Sequence, residues 1–171
     1  MHEKIKARGE YFGRLTRGGK RGAWQRLGSN LITDEGLSHI LNVAFGSEAK
    51  PQGYYLAIHS GSATPAANWT GATYAAAASE IVSLTEGHTS ATRPQWNPEA
   101  ANGGVIDNVN TAASFTVATS GVLTVTGCAL LTSPTRGGTS GVLVSAVQFP
   151  NVRQLQDGDK FDLGYRITLT R

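Results

Sequence analysis

The sequence has little charge, one cysteine and no long apolar run, and each shortage excludes a class of protein. Lys, Arg, Asp and Glu make up 16% of the 171 residues, against about a quarter in typical soluble domains. The single Cys128 excludes an internal disulfide framework and a multi-cysteine metal site. No run approaches the ~20 apolar residues of a membrane span, and the charged N-terminus lacks the apolar segment of a signal peptide. We therefore expect a protein made and kept in a cytosol, or assembled from one, with no membrane association.

Residues that could carry chemistry are present, but their spacing matches no catalytic or metal-binding motif. None of the four histidines falls in an HExxH or similar pattern, and no serine lies in a G-x-S-x-G elbow. The Gly-rich segment Gly18–Gly22 lacks the Lys-Ser/Thr ending of a phosphate-binding loop. The acidic segment Asp157–Asp162 lacks the register of an EF-hand, so we interpret it as a turn with water-facing acids. The sequence predicts no enzyme, no cofactor and no metal.

What the sequence does contain is apolar–polar alternation at period two, the pattern of half-buried β-strands. It is strictest over Lys160–Thr170, and Ala113–Leu131 shows two such runs around Ser120-Gly121, which predicts a β-hairpin. Seven or eight strands that do not alternate with helices favour an all-β antiparallel sandwich or jelly-roll. Shorter predicted strands cover Tyr54–His59, Ser79–Leu84, Val105–Asp107 and Val142–Phe149, the last ended by Pro150.

One short helix is predicted near the N-terminus. Thr33 supplies a capping hydroxyl, Asp34 and Glu35 follow it, and Gly46 is a natural stop. Apolar residues recur at i, i+3, i+4 and i+7 from Leu37 to Ala44, which predicts one packed helix face. Residues 62–79 and 89–104 are interpreted as long loops.

Residues 1–28 carry eight basic side chains against two acidic ones, a net charge of +6, whereas the remainder carries −3. This segment is Gly-rich and has no sustained period, so we expect an extended arm beside a sandwich domain of residues 29–171. Its interleaved aromatic residues favour docking on an acidic protein surface, and a flexible tail packed on its own domain is the alternative.

Nucleic acid is disfavoured as a partner, because the body is net negative and carries no nucleic-acid motif. Two groups of side chains are predicted to contact the partner. The arm group is Lys4, Lys6, Arg8, Tyr11, Phe12, Arg14, Arg17, Lys20, Arg21, Trp24 and Arg26, and the loop group is Trp69, Arg93 and Trp96.

The order of these features resembles small structural proteins of tailed bacteriophages. The resemblance covers roughly residues 30–171 and rests on Asn30–Leu37, Tyr54–Gly61, Ala91–Trp96, Phe115–Val117 and the Gly158-Asp159 turn. It implies a virion protein, most plausibly a capsid cement or decoration protein that binds the outside of the shell and bridges subunits of the major capsid protein. Such proteins assemble in the host cytoplasm, sit on the capsid surface as dimers or trimers, and use no cofactor.

Two other functions remain open at this point. The first is a collar, tail or fibre-base protein of the virion, which the sequence does not separate from a cement protein. The second is a carbohydrate-binding β-sandwich, in which Trp69, Trp96 or Tyr74 on loops would stack on sugars.

Overall fold

The computed structural model describes residues 5–171 and consists mainly of two antiparallel β-sheets packed face to face. In chain order its elements are β1 (Lys6–Arg17), β2 (Lys20–Arg21), β3 (Gln25–Ser29), β4 (Leu31–Ile32), α1 (Asp34–Phe45), β5 (Tyr54–His59), α2 (Gly71–Ala78), β6 (Gly87–His88), β7 (Gln95–Trp96), β8 (Val105–Asp107), a 3-10 turn (Val109–Thr111), β9 (Ala113–Ala118), β10 (Leu123–Leu131), β11 (Leu143–Leu155) and β12 (Lys160–Thr170). The predicted all-β sandwich is confirmed.

The larger sheet has the order β2-β1-β12-β9-β6, with β3 paired to β1 and β8 paired to β12. The smaller sheet has the order β4-β11-β10-β5-β7. A large apolar core fills the space between them, and a second, smaller core lies between the outer face of the smaller sheet and α2. Among residues 5–171, no helix is both long and apolar enough to cross a membrane.

The predicted extended arm is wrong for residues 6–28, which lie in or between β1, β2 and β3 of the larger sheet. β1 pairs with β12 from Lys6 opposite Thr170 to Thr16 opposite Lys160. The core-facing positions of β1 include Gly9 and Gly13, where a side chain would collide with Asn30 and Tyr165, or with Leu27 and Phe161. Glycine therefore stands where an apolar residue would have revealed the alternation, because bulky side chains from other strands fill that space.

The predicted β-hairpin at Ala113–Leu131 is also wrong. β9 pairs with β12 and β6 in the larger sheet, whereas β10 pairs with β11 and β5 in the smaller one. The connection is an arch between sheets, and the Glu86 carboxylate holds it by accepting the backbone N–H of Ser120 at 3.1 Å. Both runs alternate because each faces the shared core from its own side, with Phe115 on one and Val125 on the other.

Three segments differ from the sequence-based expectation in the smaller sheet and its surroundings. β11 continues past Pro150. This proline lies in an irregular part of the pairing with β10, between Gln148 and Arg153 of β11, so the N–H that proline lacks removes no hydrogen bond from the ladder. The predicted strand Ser79–Leu84 is a turn with one isolated bridge, at Glu80. The predicted loop 62–79 contains α2, an Ala-rich helix packed on the smaller sheet.

Helix α1 begins and ends as predicted, but of the predicted apolar stripe only Ile40 packs against the core. Gly36 and His39 are buried, whereas Leu37, Leu41 and Phe45 are 44%, 59% and 88% exposed. Polar contacts set this orientation, because Thr33 caps the helix at Gly36 N at 3.0 Å and donates its hydroxyl to a carbonyl of β11. His39 is not at a polar edge, since its ring lies between the side chains of Glu48 and Tyr54.

Candidate interaction surface

The outer face of the larger sheet is the surface where most of the predicted contact residues meet. Successive side chains of a strand point to opposite faces, so Phe12 lies on the outside while its neighbour Tyr11 is buried. The even-numbered residues of β1 and β12 share this face, which neither α1 nor α2 covers. We call the following set the outer face: Arg8, Glu10, Phe12, Arg14, Trp24, Arg26, Asp107, Lys160, Asp162 and Arg166.

Two arginines of the outer face are each held by a carboxylate and stacked on an aromatic ring. Arg14 Nη2 lies 2.8 Å from Asp162 Oδ2, and its guanidinium carbon lies 4.4 Å from the centre of the Trp24 ring. Arg166 Nε lies 2.8 Å from an oxygen of Asp107. The guanidinium of Arg166 also stacks over Phe12 at 5.0 Å. These contacts fix both cations in place on the protein surface.

The outer face keeps a positive charge after its internal pairing. Arg26 pairs with Glu10 at 2.8 Å, so the three acids of the face are each matched by one arginine. Arg8 and Lys160 are exposed and make no ion pair among residues 5–171. Lys6 is exposed on β1, and Lys20 and Arg21 are exposed on the adjacent β2, so the face and its rim suit an acidic partner.

The turn before β12 is tied to the N-terminal strand. Asp159 is 2% exposed and accepts from Arg17 Nη2 at 2.7 Å and from Gln156 N at 2.7 Å. The hydrogen bonds from Arg17 hold the pKa of Asp159 below its ordinary value. The expectation that the acids of this segment face water is therefore wrong for Asp159, and also for Asp162, which pairs with Arg14.

Tyr11 was predicted to contact a partner, but it is a core residue. Its hydroxyl lies 2.7 Å from Ser145 Oγ of β11, which links the two sheets across the core. Its ring centre lies 4.4 Å from that of Tyr165, and burial raises the pKa of Tyr11 well above the ordinary value. It is fully buried and cannot reach a partner.

Two of the three predicted loop contacts are likewise buried. Arg93 is 1% exposed and forms a bidentate pair with Glu80, both N–O distances being 2.7 Å, and Nη1 donates to Ser133 O at 3.0 Å. Trp96 is 5% exposed and donates its indole N–H to Tyr165 O at 3.0 Å. These side chains anchor loops to the core, so the prediction that they contact a partner is wrong.

The aromatic set proposed for sugar stacking does not form a site. Trp96 and Tyr74 are buried in different cores, and only Trp69 is partly accessible, packed against α2 and its cluster. Lys4 lies outside the described residues. Lys6, Arg8, Arg17, Lys20, Arg21 and Arg26 are exposed, and Phe12, Arg14 and Trp24 are half-buried.

Sequence analysis missed the acidic and basic residues that β12 and β8 add to the outer face. The strict alternation of Lys160–Thr170 places Lys160, Asp162 and Arg166 on one side, and that signal was available. Local sequence pattern does not indicate that these residues lie beside β1, because that proximity depends on the pairing of the first strand with the last.

His59 and His88 are buried histidines whose pKa values are lowered. His59 Nδ1 lies 3.1 Å from Tyr74 Oη, and burial lowers the pKa of His59 to about 4. The pKa of His88 is also about 4, lowered by burial and by the charge of Arg136. Both are therefore neutral at pH 7. Within residues 5–171, no group of three or more His, Cys, Asp or Glu side chains is placed to hold a metal.

The residues that build this fold also match a known protein family. A sequence model for the family described as Podophage GP4 fiber I protein gp80 matches residues 32–166, about four-fifths of the chain. The chain belongs to this family. It is therefore a structural protein of a phage virion, which confirms the resemblance at that level. No curated protein matches the chain. The gp80 match begins in β4, so β1, β2 and β3 precede it.

Proposed function

We propose that this gp80-family chain is a fibre or fibre-base component of the virion, with a structural rather than an enzymatic role. The observation that carries the proposal is the family match over residues 32–166, since the family is described by a fibre protein. The chain would act by covering part of a neighbouring virion protein.

The outer face of the larger sheet is the docking surface we propose for that neighbour. Arginine and aromatic residues are enriched at the centres of protein interfaces. Arg14 and Arg166 are already held in place by Asp162 and Asp107, so these side chains lose little conformational entropy when a partner docks. Arg8 and Lys160 supply charge that internal pairing has not used, which favours an acidic partner surface.

A capsid cement protein is the second candidate. The same uncovered, basic face would suit an acidic patch on the major capsid protein, with the chain bound there as a dimer or trimer. The two roles differ in copy number, because a shell offers many equivalent positions and a fibre base offers few.

The proposal is tested by supplying variants to a phage that lacks its own copy of the gene. Arg8→Glu combined with Lys160→Glu reverses two charges that make no ion pair within residues 5–171, and Lys50→Glu is the control at another exposed position. We expect the double variant to fold but to lose at least about tenfold in copies per particle, because like charges in an interface cost several kcal/mol. Unchanged occupancy would contradict docking through this face.

Quantitative mass spectrometry of purified wild-type particles separates the two candidate roles. About six or twelve copies would agree with a fibre or fibre base, and hundreds would instead assign the chain to the shell. Absence of the chain from purified particles would contradict both roles.

A further inference from the structure

A groove of about 1050 Å³ lies where the two sheets part beside the start of β1. One wall is formed by residues 6–10 of β1 together with Thr168 and Thr170 of β12, and Asn30, Leu31 and Leu37 contribute to the other. Its volume lies at the upper end of the ~300–1,000 Å³ typical of small-molecule sites, and the strand edge along residues 6–10 suits an extended occupant. Arg8 and Glu10 belong both to the groove and to the outer face, but the inference concerns the free edge of β1 and does not depend on the function proposed above.

The edge of β1 that borders the groove is open. β3 pairs with β1 only from Glu10 to Gly13, and residues 6–9 pair with β12 on the opposite edge. The Gly9 carbonyl accepts from Asn30 N at 3.1 Å, which shows that odd-numbered residues of β1 direct their backbone polar groups toward the groove. The N–H and C=O of Ala7 therefore face the groove, and no backbone partner lies opposite them among residues 5–171.

The opposite wall adds a second polar feature and apolar surface. Asn30 alone joins β3 to β4, and its Nδ2 donates to Tyr165 Oη at 2.8 Å. Asn30 Oδ1 is buried and has no partner among residues 5–171. Leu31 and Leu37 are 38% and 44% exposed beside it. Within residues 5–171, β4 pairs only with β11, so the edge strand of the smaller sheet also lies at this groove.

Side-chain alternation defines what an added strand would need. Lys6 and Arg8 point to the outer face, are exposed, and make no ion pair among the described residues. A strand laid against β1 would place alternate side chains next to these two cations and the others toward Leu31 and Leu37. Acidic residues suit the first set of positions and apolar residues suit the second.

We propose that the groove binds an extended peptide segment of alternating acidic and apolar residues, which adds as a strand to the free edge of β1. The backbone of the segment would pair with Ala7 and its side chains would read the two walls. Strand addition of this kind derives affinity from main-chain hydrogen bonds and selectivity from alternate side chains.

The test measures fluorescence anisotropy of a labelled peptide, acetyl-Asp-Val-Asp-Val-Asp-Val-amide, titrated with the full chain. We expect saturable binding with Kd below about 1 mM. A peptide N-methylated on alternate amides, so that it cannot pair along one edge, and a Lys-Val peptide of the same length should each bind at least about tenfold more weakly. Equal binding of the N-methylated peptide, or no saturable binding of the first one, would overturn the proposal.

Two variants keep the test independent of folding. Ala7→Pro removes the N–H that faces the groove but no bond to β12, and Leu37→Asp changes an exposed helix side chain on the wall. Both should weaken binding at least about tenfold with a circular dichroism spectrum like that of the wild type, whereas Leu41→Asp, one helix turn beyond the groove, should not. Loss of binding with Leu41→Asp alone would place the peptide on α1 and contradict strand addition. A dimer of the chain dissociated by Ala7→Pro but unaffected by the peptide would assign the groove to a second copy and likewise contradict it.

Discussion

Deletion of residues 1–28 is the most direct test of the fold, because it removes what composition alone describes as a dispensable arm. In the structure the deletion removes β1, β2 and most of β3, and it leaves β12 without a partner on one edge. It also takes away Tyr11 and Leu27, which are 0% and 1% exposed.

The expected loss is comparable to the whole stability of a domain. Truncating a buried aromatic residue to alanine costs about 3–5 kcal/mol and a buried leucine about 2–5 kcal/mol, so these two side chains alone account for roughly 5–10 kcal/mol. The total free energy of unfolding of a domain is about 5–15 kcal/mol. Loss of Arg17 further leaves the buried Asp159 without its cation, at about 1–3 kcal/mol. We therefore expect the truncated chain to be unfolded or close to it.

Urea denaturation followed by far-ultraviolet circular dichroism measures the effect. The truncated chain should show no cooperative transition, and full-length Tyr11→Ala should lose about 3–5 kcal/mol of unfolding free energy. Lys20→Ala, at an exposed site of the same segment, should stay within about 0.5 kcal/mol of the wild type. A truncated chain that unfolds cooperatively at the wild-type midpoint would refute the assignment of β1 to the larger sheet.

Three further perturbations follow from buried contacts. A Gly-to-Ala change normally stabilises a helix, but in Gly36→Ala the added methyl meets a carbonyl of β11, so we expect the free energy of unfolding to fall by about 1–3 kcal/mol in urea denaturation. Gly121→Ala is the control, because its methyl enters open space, and it should be near neutral. A Gly36→Ala variant more stable than the wild type would contradict the packing of α1. Arg93→Met should lower the free energy of unfolding by about 3–5 kcal/mol, because it leaves the buried carboxylate of Glu80 without its cation. The double variant Arg93→Met/Glu80→Leu should lose less, since it removes both charges. Equal losses for the single and the double variant would argue against a buried pair. Because the pKa values of His59 and His88 are both lowered to about 4, the unfolded chain binds two protons between pH 6.5 and 4 that the folded chain does not. Stability is therefore complete above pH 6.5 and falls toward pH 4, by up to about 3 kcal/mol for each histidine. His59→Gln should remove about half of this dependence, since His88 remains, and a urea midpoint that does not change between pH 7 and pH 4.5 in the wild type would contradict it.

Local pattern predicted the strands that are long and alternate without interruption. Lys160–Thr170 and Tyr54–His59 have the predicted bounds, since apolar and polar residues alternate through the first and the second is a continuous buried run. Local pattern did not predict β1, because two of its inward positions are Gly9 and Gly13, and side chains from other strands and loops occupy the space beside them. The arch after β9 was mistaken for a hairpin because alternation reports which face of a strand is buried and not which strand lies beside it.

The same limit applies to the interaction surface. An apolar stripe on α1 indicates a distinct face, but the polar contacts of Thr33 and His39 decide which face turns inward. Composition indicates the basic and aromatic character of the N-terminal segment. It does not indicate which of these side chains enter the core and which stay on the surface. Tyr11 and Phe12 are neighbours of similar chemistry, and only the pleat of β1 sends the first inward and the second outward.

The antiparallel pairing of β1 with β12 ties the start of the described chain to its end. During synthesis the edge of β1 that pairs with β12 stays unpaired until Lys160–Thr170 has emerged from the ribosome, whereas β2 and β3, which pair with the other edge, follow β1 directly. The larger sheet therefore closes after translation of β12, and chains dominated by such distant pairings fold in milliseconds to seconds rather than microseconds. Until that moment β1 is open to pairing with a neighbouring nascent chain, and the basic residues along it supply repulsion that discourages this error.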